Sequence, residues 1–273
     1  MSSTAPSSSV SASRVVLSVY MALFFAYLFL PLILMVAAGF NSYSPPSVTQ
    51  WQGFSLRWFS ELAEDQRILQ GIVNSVVVAT GVILLSLPLG LSGALLLSRL
   101  DARSGSLLYG VLVSPVLTPG IILGISTLIF WRQVDVGGGL GLTVMAQSTF
   151  IAAYCMLMFM ARLQRQDTSL EEAALDLGAT HMQVFRRITL PFLRPAMLSA
   201  AVIAFLQSIE NYNTTVFSIG ASHTLVTEIG SRMRFGLTPV VNIIGLLFVT
   251  VTVAVAVAYV LLRQRERART PAG

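Results

Sequence analysis

The sequence predicts an all-α membrane protein of six transmembrane helices, with a short cytoplasmic helix between the fourth and the fifth. Composition is the first reason. Of 273 residues, 11% are charged and 55% hydrophobic, with a mean hydropathy of +0.76, whereas a soluble domain carries about 25% charged residues. The second reason is the arrangement of the apolar residues in long blocks. Inside lipid each block must satisfy its own backbone hydrogen bonds, which leaves helices or a closed barrel. Barrel strands alternate apolar and polar residues over roughly ten positions, and Val76 to Leu97 shows no such alternation. The third reason is the placement of arginine, which sorts the connections between blocks into two kinds.

Residues 1–13 are rich in Ser, Ala and Thr and read as a disordered cytoplasmic tail. Val15 to Phe40 follows without a charge. It exceeds the roughly 7–15-residue core of a secretory signal, so it is the first span, although Ala37-Ala38-Gly39 has the small residues of a cleavage site. Further blocks run over Ile72–Ser98, Leu107–Trp131, Leu140–Ala161, Ala196–Ile219 and Val240–Leu262. Each reaches the roughly 20 residues a spanning helix needs. Pro31, Pro88, Pro115 and Pro119 lie in or near these spans, where they can kink a helix.

With the N-terminus inside, twelve arginines fall on cytoplasmic segments and five on outer ones. The positive-inside rule then puts both termini in the cytoplasm. The membrane domain is 14–262, with a long cytoplasmic connection over 162–195. Residues 263–273 form a basic tail, with Arg263, Arg265, Arg267 and Arg269 suited to anionic lipid.

Several functions are excluded by missing residues. All 17 basic residues are arginine, so a nucleotide-binding loop that needs a lysine on the phosphates is absent, as is a lysine Schiff base. Cys155 stands alone in an apolar block and reads as packing. His181 and His223 lack neighbouring ligands, and no H-E-x-x-H or G-x-S-x-G motif occurs. No cofactor or metal is expected on this chain, and no nucleic acid.

The connection 162–195 carries the most specific pattern, in two short helices joined by a turn. Thr168 or Ser169 can cap the first, with Glu171 or Glu172 closing a capping box, and Gly178 stands where a left-handed C-terminal cap is wanted. Thr180 and Gln183 repeat the capping box for the second, and Pro191 and Pro195 are expected to break or redirect the chain before the fifth span. The first helix sets Leu170, Ala173, Ala174 and Leu177 beside Glu171, Glu172 and Asp176. Periodicity alone would allow a helix lying on lipid. Its acidic side chains would be repelled by anionic headgroups, which favours a protein partner.

Glu172-Ala173-Ala174, three residues, Gly178, nine residues, Ile188, one residue and Leu190-Pro191 resembles the EAA loop of binding-protein-dependent ABC importer permeases. The resemblance extends to Phe40-Asn41-Ser42, Trp51-Gln52-Gly53-Phe54, Trp58-Phe59, Asn74-Ser75, Ser114-Pro115, Pro119 and Arg234 to Asn242, which are similar to the spermidine/putrescine permeases. It implies a bacterial inner-membrane subunit working with an ABC ATPase dimer that holds ATP and Mg, a second homologous permease and a periplasmic solute-binding protein. It also implies that Ser169, Glu171, Glu172, Ala173, Ala174, Asp176, Gly178 and Ala179 form the ATPase-coupling helix. Glu172 would meet the partner and Gly178 would allow the turn. Where those permeases tend to carry an Asp-Asp-Phe type sequence, this chain has Glu210-Asn211-Tyr212-Asn213, one acid in place of two. A self-sufficient secondary transporter would need an internal repeat and ion-coupling residues, and a membrane enzyme would need a nucleophile and base.

Glu210 is the one acidic residue well inside an expected span. An ionised carboxylate at mid-bilayer costs roughly 2.5–3.5 kcal/mol on insertion scales, so it should face a partner or a wet path. Helical spacing would put Gln207, Asn211 and Thr214 on a polar stripe with it. That stripe is a candidate translocation path, or else a hydrogen-bonding contact to the partner permease or a site near the outer headgroups. Tyr212 and Trp131 read as interfacial belt aromatics.

Overall fold

A computed structural model describes residues 8–269 apart from 48 and 237. In chain order its helices are α1 (Ser8–Gly39), α2 (Arg57–Glu64), α3 (Gln66–Leu97), α4 (Ala102–Leu117), α5 (Gly120–Arg132), α6 (Leu140–Leu163), α7 (Ser169–Asp176), α8 (His181–Val184), a π-helical segment (Phe185–Thr189), α9 (Leu190–Ile209), α10 (Tyr212–Ser218), α11 (Leu225–Phe235) and α12 (Val240–Arg269). No strand occurs among the described residues. Helix α1 starts at Ser8, so residues 8–13, expected in the tail, are helical. Residues 1–7 and 270–273 lie outside the described part.

Four helices are long and apolar enough to cross a membrane: Ser13–Gly39, Gln66–Leu97, Leu140–Leu163 and His181–Ile209. The remaining expected spans differ from simple rods. The third is a pair, α4 and α5, bent by 103°. Thr118 precedes Pro119 and is held extended, at φ −87° and ψ 131°, because the proline ring disfavours a helical residue before it. Pro119 then stands just ahead of the first turn of α5. The sixth corresponds to Val240–Ala254, a shorter apolar stretch within α12.

The fifth expected span is broken. Helix α9 ends at Ile209 and α10 begins at Tyr212. Asn211 causes the interruption: its side-chain oxygen accepts from the Thr214 N–H at 3.0 Å and caps a new helix. Asparagine gains more at such a cap than in a helix interior. Ahead of α9 the outcome is the reverse. The chain was expected to break or be redirected at Pro191 and Pro195, yet His181 to Ile209 is continuous, running through the π-helical turn into α9. Pro191 lies just beyond the π-helical segment, whose wider turn takes up the residue that lacks an N–H.

The chain divides into two compact units, residues 66–231 and residues 1–65 with 232–273. The core of the first is where α3, α6 and α9 meet. Val78, Val82, Ala94, Ile151, Cys155, Phe159, Ala200 and Ala204 are buried together there, and Cys155 is packing, as expected. Polar staples close the far end of α3. Asn74 donates to the His223 carbonyl at 2.7 Å and Ser75 accepts from the Leu225 N–H at 2.9 Å. Arg67 pairs with the buried Glu228 at 3.1 Å.

In the second unit α1 packs on α12 near its C-terminal end. From residue 15 to residue 34 α1 is largely apolar and open, with Tyr27 83% exposed, a surface that belongs against lipid or protein and not water. The loop that follows is organised by Asn41. Its amide donates to the Ser47 and Gln50 carbonyls, at 2.9 and 2.6 Å, and accepts from the Tyr43 and Gln52 N–H groups, at 3.2 and 3.1 Å. Its carbonyl accepts from the Trp58 indole at 2.8 Å. All four side-chain bonding positions of a buried asparagine are therefore used. Asn41→Ala should cost about 4 kcal/mol at roughly 1 kcal/mol for each lost side-chain bond. Proteolysis of the purified protein should then become faster within residues 42–56, and an unchanged cleavage rate would count against Asn41 as the organiser.

Candidate functional site

At the break between α9 and α10 the membrane unit opens into a cavity of about 310 Å³. Gln207, Glu210, Asn211 and Thr214 all line it, so the four residues expected on a pathway do come together. The expected arrangement was different. They do not form a stripe along one helix: Gln207 is in the last turn of α9, Glu210 follows that helix, and Asn211 caps the next. Tyr154, Phe150 and Tyr212 add aromatic walls, and no basic residue contributes to the lining.

The two central groups differ in environment. Glu210 is exposed, and its carboxylate has no hydrogen bond or ion pair to another described residue. Thr214 is fully buried and its hydroxyl has no partner either. A backbone approach places Thr214. A Cβ on Gly124 of α5 would lie 2.6 Å from the Thr214 carbonyl oxygen, so only glycine lets α5 come this close.

A second group of residues, missed in the sequence, holds the break in place. Gln147 of α6 donates to the Thr215 hydroxyl at 2.8 Å and accepts from the Ser208 hydroxyl at 2.6 Å. One amide thus bridges the last turn of α9 and the first of α10. Thr215 in turn donates to the Asn211 carbonyl, and Ser218 donates toward Thr143 at 3.2 Å. The available signal was Thr143 and Gln147, polar residues four apart within an apolar block, which places them on one helix face.

A larger cavity, of about 640 Å³, lies among α3, α4, α5 and α6, with Leu85, Phe130, Trp131 and Met156 in its wall. Trp131, expected as a belt residue, faces this space. The cavity is apolar and has no ionisable group, so size does not make it the site of the chemistry.

The cytoplasmic connection is built as follows. Helix α7 is solvent-facing, with Leu170, Glu172, Ala173 and Asp176 exposed and Leu177 90% exposed beyond it. Thr168 makes no side-chain cap and no capping box forms with Glu171 or Glu172. Instead Asp167 accepts from the Ser169 N–H at 3.0 Å, and hydrogen bonds from the Ser169 hydroxyl and N–H hold its carboxyl below the ordinary value. Gly178 has φ +84° and ends the helix in the left-handed conformation expected of it. Thr180 and Gln183 make the expected capping box. Ser169 is exposed, Ala174 and Ala179 are partly buried, and Glu171 turns inward, where its carboxylate accepts from Gln166 and Thr189.

A set of apolar helices around an interrupted one, with an exposed amphipathic helix on an extramembrane connection, defines a transport-protein architecture. The chain belongs to the family of binding-protein-dependent transport system inner membrane components, which matches residues 86–268. It is 32% identical over 235 residues to the putrescine transport system permease protein PotI of Escherichia coli, covering 82% of each chain. It is 28% identical over 233 residues to the spermidine/putrescine permease PotC of Haemophilus influenzae, covering 85% of this chain and 90% of that one. A chain of a bacterial ABC transporter involved in import of the acidic polysaccharide alginate has the same fold, with a TM-score of 0.68 at 14% identity over 96% of this chain and 99% of that one.

Gln147→Leu keeps the volume, strands the Ser208 hydroxyl and removes one of the two bonds of the Thr215 hydroxyl. Single interhelical bonds in membranes average about 0.6 kcal/mol, but stranding buried groups adds about 1–3 kcal/mol. The melting temperature of the detergent-solubilised protein should fall by roughly 4–8 °C. Ser148→Ala is the control, because the buried Ser148 hydroxyl has no partner among the described residues. Equal melting temperatures for Gln147→Leu and Ser148→Ala would remove the clamp.

Proposed function

We propose that this chain is the channel-forming permease subunit of an ATP-driven importer for a polyamine or related cationic amine. It works with a second, homologous permease, two copies of an ABC ATPase carrying ATP and Mg, and a periplasmic binding protein that delivers the solute. It crosses the bacterial inner membrane six times with both termini in the cytoplasm. The arginine bias supports that orientation. The observation that carries the substrate reading is the cavity at the helix break, which has Glu210, aromatic walls and no cation of its own. A carboxylate without a counter-ion and several rings are what an alkylammonium group requires. The putrescine and spermidine permeases among the relatives point the same way.

In this reading the ATPase grips α7, its closure draws the coupling helices of the two permeases together, and the cavity changes the side to which it opens. ATP binding acts by stabilising one of the two states over the other. Gly178→Val forces a β-branched residue into a positive φ. Transport should drop at least about tenfold at unchanged membrane abundance, a loss within the usual range of a coupling free energy. Normal transport by Gly178→Val would show that the turn does not set the direction of α7.

The substrate test is Glu210→Gln, measured as putrescine uptake and complex yield in proteoliposomes with the cognate ATPase and binding protein. Removing the charge while keeping the volume should leave assembly intact and lower uptake, with Glu210→Asp retaining part of it. A purely hydrogen-bonding role predicts the opposite order, since glutamine would then serve better than a shortened acid.

A further inference from the structure

Helix α7 is attached to the membrane unit in an unusual way. It buries none of its own side chains, and a cavity of about 160 Å³ lies against it, with Arg99, Glu171, Leu175 and His181 in the wall. Close packing therefore does not hold it. Its backbone route to α9 passes through Gly178, a one-residue turn with nothing within 4 Å of where a side chain would begin. Its other end returns to α6 through residues 164–168, and a helix that reaches α9 only through the Gly178 turn would pivot when pushed and deliver little of the displacement to α9.

A side chain supplies the second attachment. One carboxylate oxygen of Glu171 accepts from the Thr189 hydroxyl at 2.6 Å and from the Gln166 amide at 2.7 Å. Thr189 is 5% exposed and ends the π-helical segment from which α9 begins. Bonds to an ionised acceptor are short and roughly twice as strong as neutral ones. Helix α9 is itself stiff, with Leu193, Ala200 and Ala204 fully buried. At 1.5 Å per residue it carries a displacement about 30 Å to the break that bears Glu210.

We infer that Glu171 is a positioning residue that ties the coupling helix to the base of α9, so that a push on α7 reaches the cavity through Thr189. It is not part of the surface that meets the ATPase. The exposed Glu172 beside it takes that place. The inference rests on the permease reading above.

The test uses the complete complex in proteoliposomes, with radiolabelled putrescine as the probe, and reads amine delivered per ATP hydrolysed. Glu171→Ala and Thr189→Val should each lower that ratio about tenfold while the ATPase subunit still co-purifies and hydrolyses ATP. Glu171→Gln, whose amide oxygen accepts the same two bonds, should restore most of it. The double variant should be no worse than Glu171→Ala, as expected for two ends of one interaction. Loss of the ATPase subunit from Glu171→Ala, with Thr189→Val unaffected, would make Glu171 a docking contact and overturn the inference, as would normal coupling by Glu171→Ala. A second measurement needs no transported solute. A spin label at residue 176 in the full chain should become more mobile with Glu171→Ala and with Thr189→Val, and not with Glu172→Ala. An unchanged label mobility in Glu171→Ala overturns the tie even if putrescine proves to be the wrong solute.

Discussion

The fold depends on the amide of Gln147. An interrupted helix inside a membrane exposes N–H and C=O groups that lipid cannot satisfy, and such a break survives only where protein or a wet cavity supplies the missing partners. Here they come in series. Asn211 caps the Thr214 N–H, Thr215 returns a bond to the Asn211 carbonyl, and Gln147 joins Thr215 to Ser208 on the other side of the gap. Without α6 the two helix ends would have no fixed relation, and the cavity between them would have no defined shape. The extensive pairing of α6 with α3, through Val78, Val82, Ile151 and Phe159, fixes Gln147 in turn.

Helix α9 can then be read as a rod between two irregularities. At one end the π-helical turn accommodates Pro191 without stopping the chain, and at the other Asn211 stops it in the middle of an apolar block. Neither irregularity is a defect of packing, since buried residues line the rod between them. The wide turn lies at the base of α9, and at the capped break Gln147 holds the end of α9 and the start of α10 together. Both ends lie beside groups of functional interest: Thr189 with Glu171, and Ile209 with Glu210.

Composition and block length made the membrane class legible, and the loop from Thr168 to Pro191 was legible in its turn and its second cap, because Gly178 and the Thr180–Gln183 pair act locally. What could not be read depended on partners distant in sequence. Asn211 within an apolar block looks like a helix residue, and the residues that flank its break, Ser208 and Thr215, are joined by Gln147 from 61 and 68 positions earlier. Pro191 looks like a breaker until the preceding turn widens. Glu171 and Glu172 are chemically identical neighbours in the sequence. The fold separates them, because side chains one residue apart on a helix point about 100° apart and only one of those directions leads to Thr189. The four candidate pathway residues were expected on one stripe, and the structure gathers the same four around a gap instead.

The clamp also separates what the fold requires from what the solute requires. An architecture shared with another chain at 14% identity shows the fold alone and does not name a solute. Gln147, Ser208 and Thr215 are committed to one another by hydrogen bonds, and exchanging any of them strands a buried group. Glu210 is committed to nothing among the described residues. It reaches the same cavity from the residue between the two helices, where its backbone N–H is already bonded to the Leu206 carbonyl and its side chain bears no structural load. A neutral residue there would leave the clamp as it is and remove the charge from the cavity lining, and a basic one would reverse its sign. The interrupted helix thus offers one position at which the fold leaves charge open, and in this chain a carboxylate occupies it.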